Sequence, residues 1–151
     1  MTRVFIDGDA CPVKDEVYVV SSRYGVPVTL VANKPLGVPP RTRVEMVVVA
    51  GGLDVADDWI AERVTRGDVV VTADIPLAAR CLSAGARVLG TNGREFTEDS
   101  IGGALAMREL KSQLRGQGAN TGGPSAITAQ DRSRFRMKLD ELVQRGRRGA
   151  R

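Results

Sequence analysis

Arg3-Val4-Phe5-Ile6-Asp7-Gly8-Asp9-Ala10-Cys11-Pro12 is the stretch that decides the fold. Val4-Phe5-Ile6 reads as a buried strand and Asp7 to Asp9 as the turn at its tip. Pro12 then suits the first turn of a helix, where the N–H that proline lacks would have no partner in any case. Two carboxylates at the end of a buried strand lose hydration and repel one another. They stay charged together only with the help of cations, hydrogen bonds or raised pKa values. The same theme recurs at Asp54, Asp57 and Asp58, and again at Asp74.

Working outward, strand and helix signals alternate. Strands are predicted over residues 3–7, 27–32, 43–50, 68–72 and 86–89, and helices over 12–24, 54–65 and 77–84, with Gly25, Gly67 and Gly85 placed to end them. The Val69-Val70-Val71 run is of the kind buried on both faces of a parallel sheet. This order implies an α/β domain: a parallel sheet of about five strands with helices on both faces. Right-handed crossovers bring the carboxyl ends of all strands to one edge, where such sheets bind ligands. Asp7 and Asp9 follow the first strand and Asp74 the fourth, so residues far apart in the chain converge on that edge. A helix over 97–115, with Ile101, Leu105, Leu110 and Leu114 broadly on one face, follows, then a glycine-rich stretch at 116–124. A last helix from Thr128 carries the stripe Phe135, Leu139, Leu142 and Val143. One domain over 1–145 is expected, with 146–151 a basic, disordered tail.

A chain of 151 residues that is 42% hydrophobic is long enough for one proper core. No run approaches membrane-spanning length, and two cysteines make no disulfide framework, so a reducing cytoplasm is the expected home. Histidine is absent, which excludes Ser-His-Asp hydrolysis and His-ligated zinc. Residues 1–107 carry 11 basic against 14 acidic side chains, and residues 108–151 carry 11 against 4. That division suits a polyanionic partner, although basic C-terminal segments are also often mere solvated extensions.

Oxygen ligands suit Mg²⁺ or Mn²⁺, and Asp7, Asp9, Asp74 and one or two of Asp54, Asp57 and Asp58 supply them. Each acid has a plainer reading. Asp9 caps a helix near Pro12, Asp54 caps its own helix with Asp57 in a capping-box position, and Asp74 caps the helix opened by Ile75-Pro76. Asp7 alone has no capping task. Cys11 sits near a helix N-terminus with Lys14 as its one basic neighbour; a buried packing role is the simpler account than a nucleophile.

Asp7-Gly8-Asp9-Ala10-Cys11-Pro12-Val13-Lys14, Asp54-Val55-Ala56-Asp57-Asp58-Trp59-Ile60 and Val71-Thr72-Ala73-Asp74-Ile75-Pro76-Leu77-Ala78 resemble the signature blocks of the bacterial YaiI/YqxD family. Leu105-Ala106-Met107-Arg108, Gly122-Gly123-Pro124 and Asp131-Arg132 with Phe135 match later blocks. The resemblance implies a three-layer, PIN-like α/β fold and, by analogy with PIN-like domains, a metal-dependent ribonuclease. It places the acidic site on Asp7, on Asp57 or Asp58, and on Asp74, with Asp9 joining them. Gly8 stands where the family pattern leads to alanine, which loosens the turn. Thr91-Asn92 stands in place of Pro-Arg, and Ala126-Ile127 in place of Pro-Phe.

The expected function is therefore Mg²⁺- or Mn²⁺-dependent phosphodiester hydrolysis, with RNA favoured over DNA. Asp7, Asp9, Asp58 and Asp74 are the catalytic candidates, and Asp57 joins them as a ligand. Asn33, Lys34, Thr72, Arg108 and Arg132 are the expected substrate contacts. A non-catalytic RNA-binding or regulatory module is the main alternative. A haloacid-dehalogenase-type phosphatase, suggested by Asp7-x-Asp9, lacks the later lysine and downstream acidic pair it needs.

Overall fold

The computed structural model describes residues 2–52, 54–116 and 126–149. Its elements are β1 (Val4–Asp7), α1 (Lys14–Tyr24), β2 (Val28–Ala32), β3 (Val44–Val48), α2 (Val55–Arg63), β4 (Val69–Val71), α3 (Ile75–Ser83), β5 (Arg87–Leu89), β6 (Glu95–Phe96), α4 (Glu98–Gly116) and α5 (Ala129–Gly149). The strands form one sheet in the order β3-β2-β1-β4-β5-β6. All neighbours are parallel except β6, which runs antiparallel to β5.

Alternation along the strands divides the core in two. Val4, Ile6, Val28, Leu30, Val69 and Val71 face one layer, where Val13, Val17 and Val20 meet the stripe Phe135, Leu139, Leu142 and Val143 of α5. Phe5, Val31, Val70 and Val88 face the other, against Ile60 of α2 and Leu77, Ala78 and Cys81 of α3. The result is three layers, helix–sheet–helix. The four stripe residues of α5 are fully buried, and at roughly 1.5–3 kcal/mol for each large apolar side chain they are what pins this helix to the sheet.

Local signals account for the boundaries. Gly25 ends α1 at φ 63°, its N–H bonding back to Ser21 and Ser22 carbonyls. Asp74 caps α3 by accepting the Leu77 N–H, and Pro76 occupies the first turn. Gly8 does not loosen its turn: it lies in a short 3₁₀ segment where an added Cβ would stand 2.6 Å from Leu30 Cδ1 and 3.0 Å from the Val31 carbonyl oxygen. Close approach to β2 is what requires glycine here.

Three expectations are corrected. The sheet has a sixth strand, too short to carry a periodic signal. The proposed apolar face of α4 is not buried: Ile101 packs on the α3 layer, whereas Leu105, Leu110 and Leu114 are exposed, as is Met107. Helix α5 continues through Gly146 to Gly149 instead of fraying at residue 146. Gly146 is a packing glycine, because a Cβ there would lie 2.6 Å from Thr2 Oγ1 and 2.8 Å from the Gly67 carbonyl oxygen. The Gly122-Gly123-Pro124 block lies outside the described residues. Alanine in place of glycine inside a helix ordinarily gains about 1 kcal/mol. Gly146→Ala should instead destabilise the chain by about 1–3 kcal/mol in urea unfolding, because overpacking against backbone outweighs propensity.

Candidate functional site

The parallel register pairs Val4, Phe5 and Ile6 of β1 with Val69, Val70 and Val71 of β4. One step further along, Thr72 donates its hydroxyl to Asp7 Oδ2 at 2.9 Å. The same Thr72 oxygen accepts the Asp74 N–H at 3.0 Å, and Asp74 Oδ1 accepts the Leu77 N–H at 2.9 Å. Thr72 is buried, so this short relay is a fixed part of the sheet edge. Connections from β1 run outward through β2 to β3, then return past β1 to β4. Asp7 and Asp74 thus flank the point where strand order reverses, the place where open α/β sheets bind ligands.

Asp57 enters from the first turn of α2. It lies within electrostatic reach of Asp74, Asp7 and Asp54. Burial, and then the charges of Asp74, Asp7 and Asp54, raise the Asp57 pKa to about 6. Burial also raises Asp7, only partly offset by the Thr72 hydrogen bond, with Asp74 and Asp9 adding repulsion. Among the described residues, no basic side chain forms a salt bridge with Asp7, Asp9, Asp57 or Asp74. Negative charge is thus concentrated at this edge, with none of these four acids in a salt bridge among the described residues.

The other expected residues divide. Asp9 is exposed and accepts the Asn33 N–H at 3.1 and 3.3 Å, tying the β1 turn to the end of β2. Asn33 and Lys34 are exposed on the same edge. Asp58 turns aside: it pairs with Arg80 of α3 at 2.6 Å. Of the adjacent pair, Asp57 is therefore the one beside Asp74 and Asp7, and Arg80, which no local pattern singles out, neutralises its neighbour. Asp54 does not cap α2 with its side chain and instead adopts φ 64°. Arg132 bonds the Pro12 carbonyl and Glu16, joining α5 to the start of α1, and Arg108 stands exposed on α4. Cys11 is buried and its thiol pKa raised by that burial, while Lys14 bonds the Cys11 carbonyl, so its role is packing. Among the described residues, no three Asp, Glu or Cys side chains are gathered closely enough to form a ready-made metal-binding group.

A three-layer α/β domain with an uncompensated carboxylate edge at its switch point is the class that fold and site define. The chain belongs to the uncharacterised YaiI/YqxD family, whose model matches residues 5–145. It is 54% identical over 153 residues to a UPF0178 protein of Rhodospirillum centenum, covering 99% of each chain. It is also 53% identical over 144 residues to a UPF0178 protein of Rhodopseudomonas palustris strain HaA2, covering 95% of this chain and 88% of the relative. A UPF0178 protein of Bradyrhizobium diazoefficiens is 52% identical over 144 residues, covering 95% and 86%. No solved structure matches the chain. No helix among the described residues is long and apolar enough to cross a membrane.

Folding raises Asp57 from 3.8 to about 6. The folded chain therefore keeps this proton to higher pH than the unfolded chain, and stability falls as pH rises through the window between those values. Asp57→Asn should raise the melting temperature at pH 7.5 by about 2–4 °C, a figure discounted for the side chain's exposure, and by much less at pH 4. Paired thermal melts at the two pH values check this.

Proposed function

We propose that the protein is a divalent-cation-dependent phosphodiesterase acting on RNA, with its site at the Asp7–Asp57–Asp74 edge. The observation that carries this reading is electrostatic. Asp7, Asp57 and Asp74 come from three separate parts of the fold and lie within electrostatic reach of one another, two of them with raised pKa values, and no basic side chain among the described residues forms a salt bridge with them. In kind, the donor set fits Mg²⁺ or Mn²⁺: all hard oxygen, without histidine or an available thiolate.

Asp7, Asp57 and Asp74 would hold the ion, with Asp9 beside them. Such an ion polarises a phosphoryl oxygen and acidifies its water, which removes the need for a histidine base. Thr72 keeps Asp7 oriented through its hydroxyl. The cap on α3 keeps Asp74 oriented. Asp57 has to lose its proton before it can serve as ligand, so cation binding is expected to strengthen as pH rises through about 6. Asn33 and Lys34 offer donors to a phosphate at the rim.

A second reading, a non-catalytic RNA-binding module, is favoured by the structural duties of two acids: Asp74 caps a helix and Asp9 binds a backbone N–H. Purified protein is expected to gain thermal stability with Mn²⁺ and to cleave mixed-sequence RNA only with Mn²⁺ or Mg²⁺. Asp7→Asn should lower the cleavage rate at least 100-fold, on the order of 3 kcal/mol in the barrier. RNA binding that is indifferent to the cation, with no cleavage at any pH from 5 to 8, decides for the second reading.

A further inference from the structure

The strands begin at the pole opposite the carboxylates, and arginines gather there. Arg41 and Arg43 precede β3, Arg66 precedes β4, Arg87 opens β5, and Arg147 and Arg148 lie in the last turn of α5. Contacts show that these positions belong to one surface. Arg43 bonds the carbonyl of Gly25, the residue that ends α1. Arg147 lies over the Tyr24 ring, and Tyr24, Gln144, Arg147 and Arg148 line a hollow of about 280 Å³. The Gly146 turn of α5 abuts Thr2 and Gly67, which follows Arg66, and Arg66 in turn lies against Gly85 before β5.

Acids at this pole are largely spoken for. Asp68 is buried under Arg3, Asp140 is bound by Arg23, Tyr24 and Gln144, and Glu141 pairs with Lys138 and Arg145. Glu62 lies 3.7 Å from Arg63, and Glu45 is exposed on β3. By contrast, Arg41, Arg43, Arg66, Arg87, Arg147 and Arg148 form no salt bridge among the described residues. Arg41, Arg43, Arg66, Arg147 and Arg148 are exposed and Arg87 is half-buried. Of the chain's four lysines only Lys138 comes near, and it is paired with Glu141 and Glu95. An all-arginine set favours planar, bidentate recognition of phosphate over diffuse attraction.

We infer that this arginine pole is a sequence-independent binding surface for the phosphodiester backbone of a nucleic acid, separate from the carboxylate edge. Two observations choose the backbone over bases or a lipid surface. The neighbouring aromatic rings, Tyr24 and Trp59, are half-buried and each already carries a guanidinium, Arg147 or Arg63, over one face, which disfavours base stacking. Of the exposed large hydrophobic side chains only Val38 comes near in sequence, three residues before Arg41, and one valine is too little to insert between lipids. This surface does not depend on the cleavage reading.

The test is fluorescence anisotropy of the full chain in EDTA, which stops any cation-dependent cleavage. Probes are labelled single-stranded RNA and DNA of one mixed sequence, roughly 20 nucleotides long, and vesicles of anionic phospholipid. The combined Arg66→Ala, Arg147→Ala and Arg148→Ala variant is expected to bind RNA at least tenfold more weakly. Its slope of log affinity against log salt should fall by roughly 2, about 0.7 for each lost phosphate contact. The α4 control Lys111→Ala should bind like the parent. Arg41→Ala and Arg148→Ala, single changes at exposed positions, give the same reading at smaller amplitude if the combined variant melts early. Equal RNA and DNA binding supports a backbone site, and a preference for RNA does so with the 2′-hydroxyl added. Undiminished binding in the arginine variants, an equal loss in the α4 control, or binding to vesicles but not to nucleic acid overturns the inference. A protein that binds through the arginines but never cleaves leaves this surface standing and removes only the proposed chemistry.

Discussion

Strand β1 is hydrogen-bonded on both sides by parallel neighbours, β2 and β4, from which the chain departs in opposite directions. Everything chemical about the molecule follows from that position. A central strand with Val4, Phe5 and Ile6 buried on its two faces cannot shift register by one residue without turning Phe5 into the wrong layer. Asp7 is therefore held at a fixed height beside Thr72, and Thr72 in turn fixes the backbone of Asp74. The sheet imposes the proximity of these acids, and their mutual repulsion is a cost that the buried valines of β1 and β4 offset. Carboxylates free to relax would move apart; these are denied that escape by packing several residues away.

Helix direction reinforces the division of charge. In a parallel sheet each crossover helix starts at the carboxyl edge of the strands and ends at the opposite edge, so α1, α2 and α3 point the same way. Helix α5 joins them: Arg132, near its start, bonds Pro12 and Glu16 at the start of α1, while Gly146, near its end, abuts Thr2 before β1. Four macrodipoles are thus aligned, with their partial positive ends at the carboxylate edge and their partial negative ends at the arginine pole. Acids in first turns (Asp15, Glu16, Asp57, Asp58, Asp131) and arginines in last turns (Arg23, Arg63, Arg80, Arg147, Arg148) match those dipoles. A fold that aligns its helices attracts this charge pattern for stability alone. Asp57 goes beyond it, because burial and the charges of Asp74, Asp7 and Asp54 raise its pKa to about 6 despite its place in a helix first turn.

The parts of this structure legible in the chain were those governed by periodicity and by glycine or proline chemistry. Buried valine runs, the Gly25 terminus and the α5 stripe were readable because burial on a sheet or helix face leaves a regular spacing. So was the meeting of Asp7 and Asp74, since strand order and crossover handedness carry both to one edge. The choice between Asp57 and Asp58 was not readable: adjacent helix positions differ by about 100° of rotation, and only the location of Arg80, on another helix, separates them. Gly146 misled for a related reason. Glycine at a helix end and glycine beneath a close crossing look alike in sequence, and only the position of Thr2 and Gly67 distinguishes them. Helix α4 misled because apolar residues at helical spacing imply a covered face, whereas Leu105, Leu110 and Leu114 are exposed.

The separation of the two charged poles constrains any substrate shared between them. Helix α5 spans 21 residues and runs from the level of the carboxylates to the arginines, about 30 Å at 1.5 Å per residue. A backbone advancing about 3.4 Å per nucleotide needs on the order of nine steps to cover that distance. A mononucleotide or dinucleotide can occupy only one pole, and would gain nothing at the carboxylates from the arginines. On the proposed reading, a longer strand held at the arginine pole would be presented to the acids at raised local concentration, without any contact being added at the site itself. The same geometry makes short oligonucleotides poor reporters of such an activity. Affinity measured on them would describe the arginine pole, where phosphates are welcome. The carboxylate edge repels phosphate unless a cation lies between them.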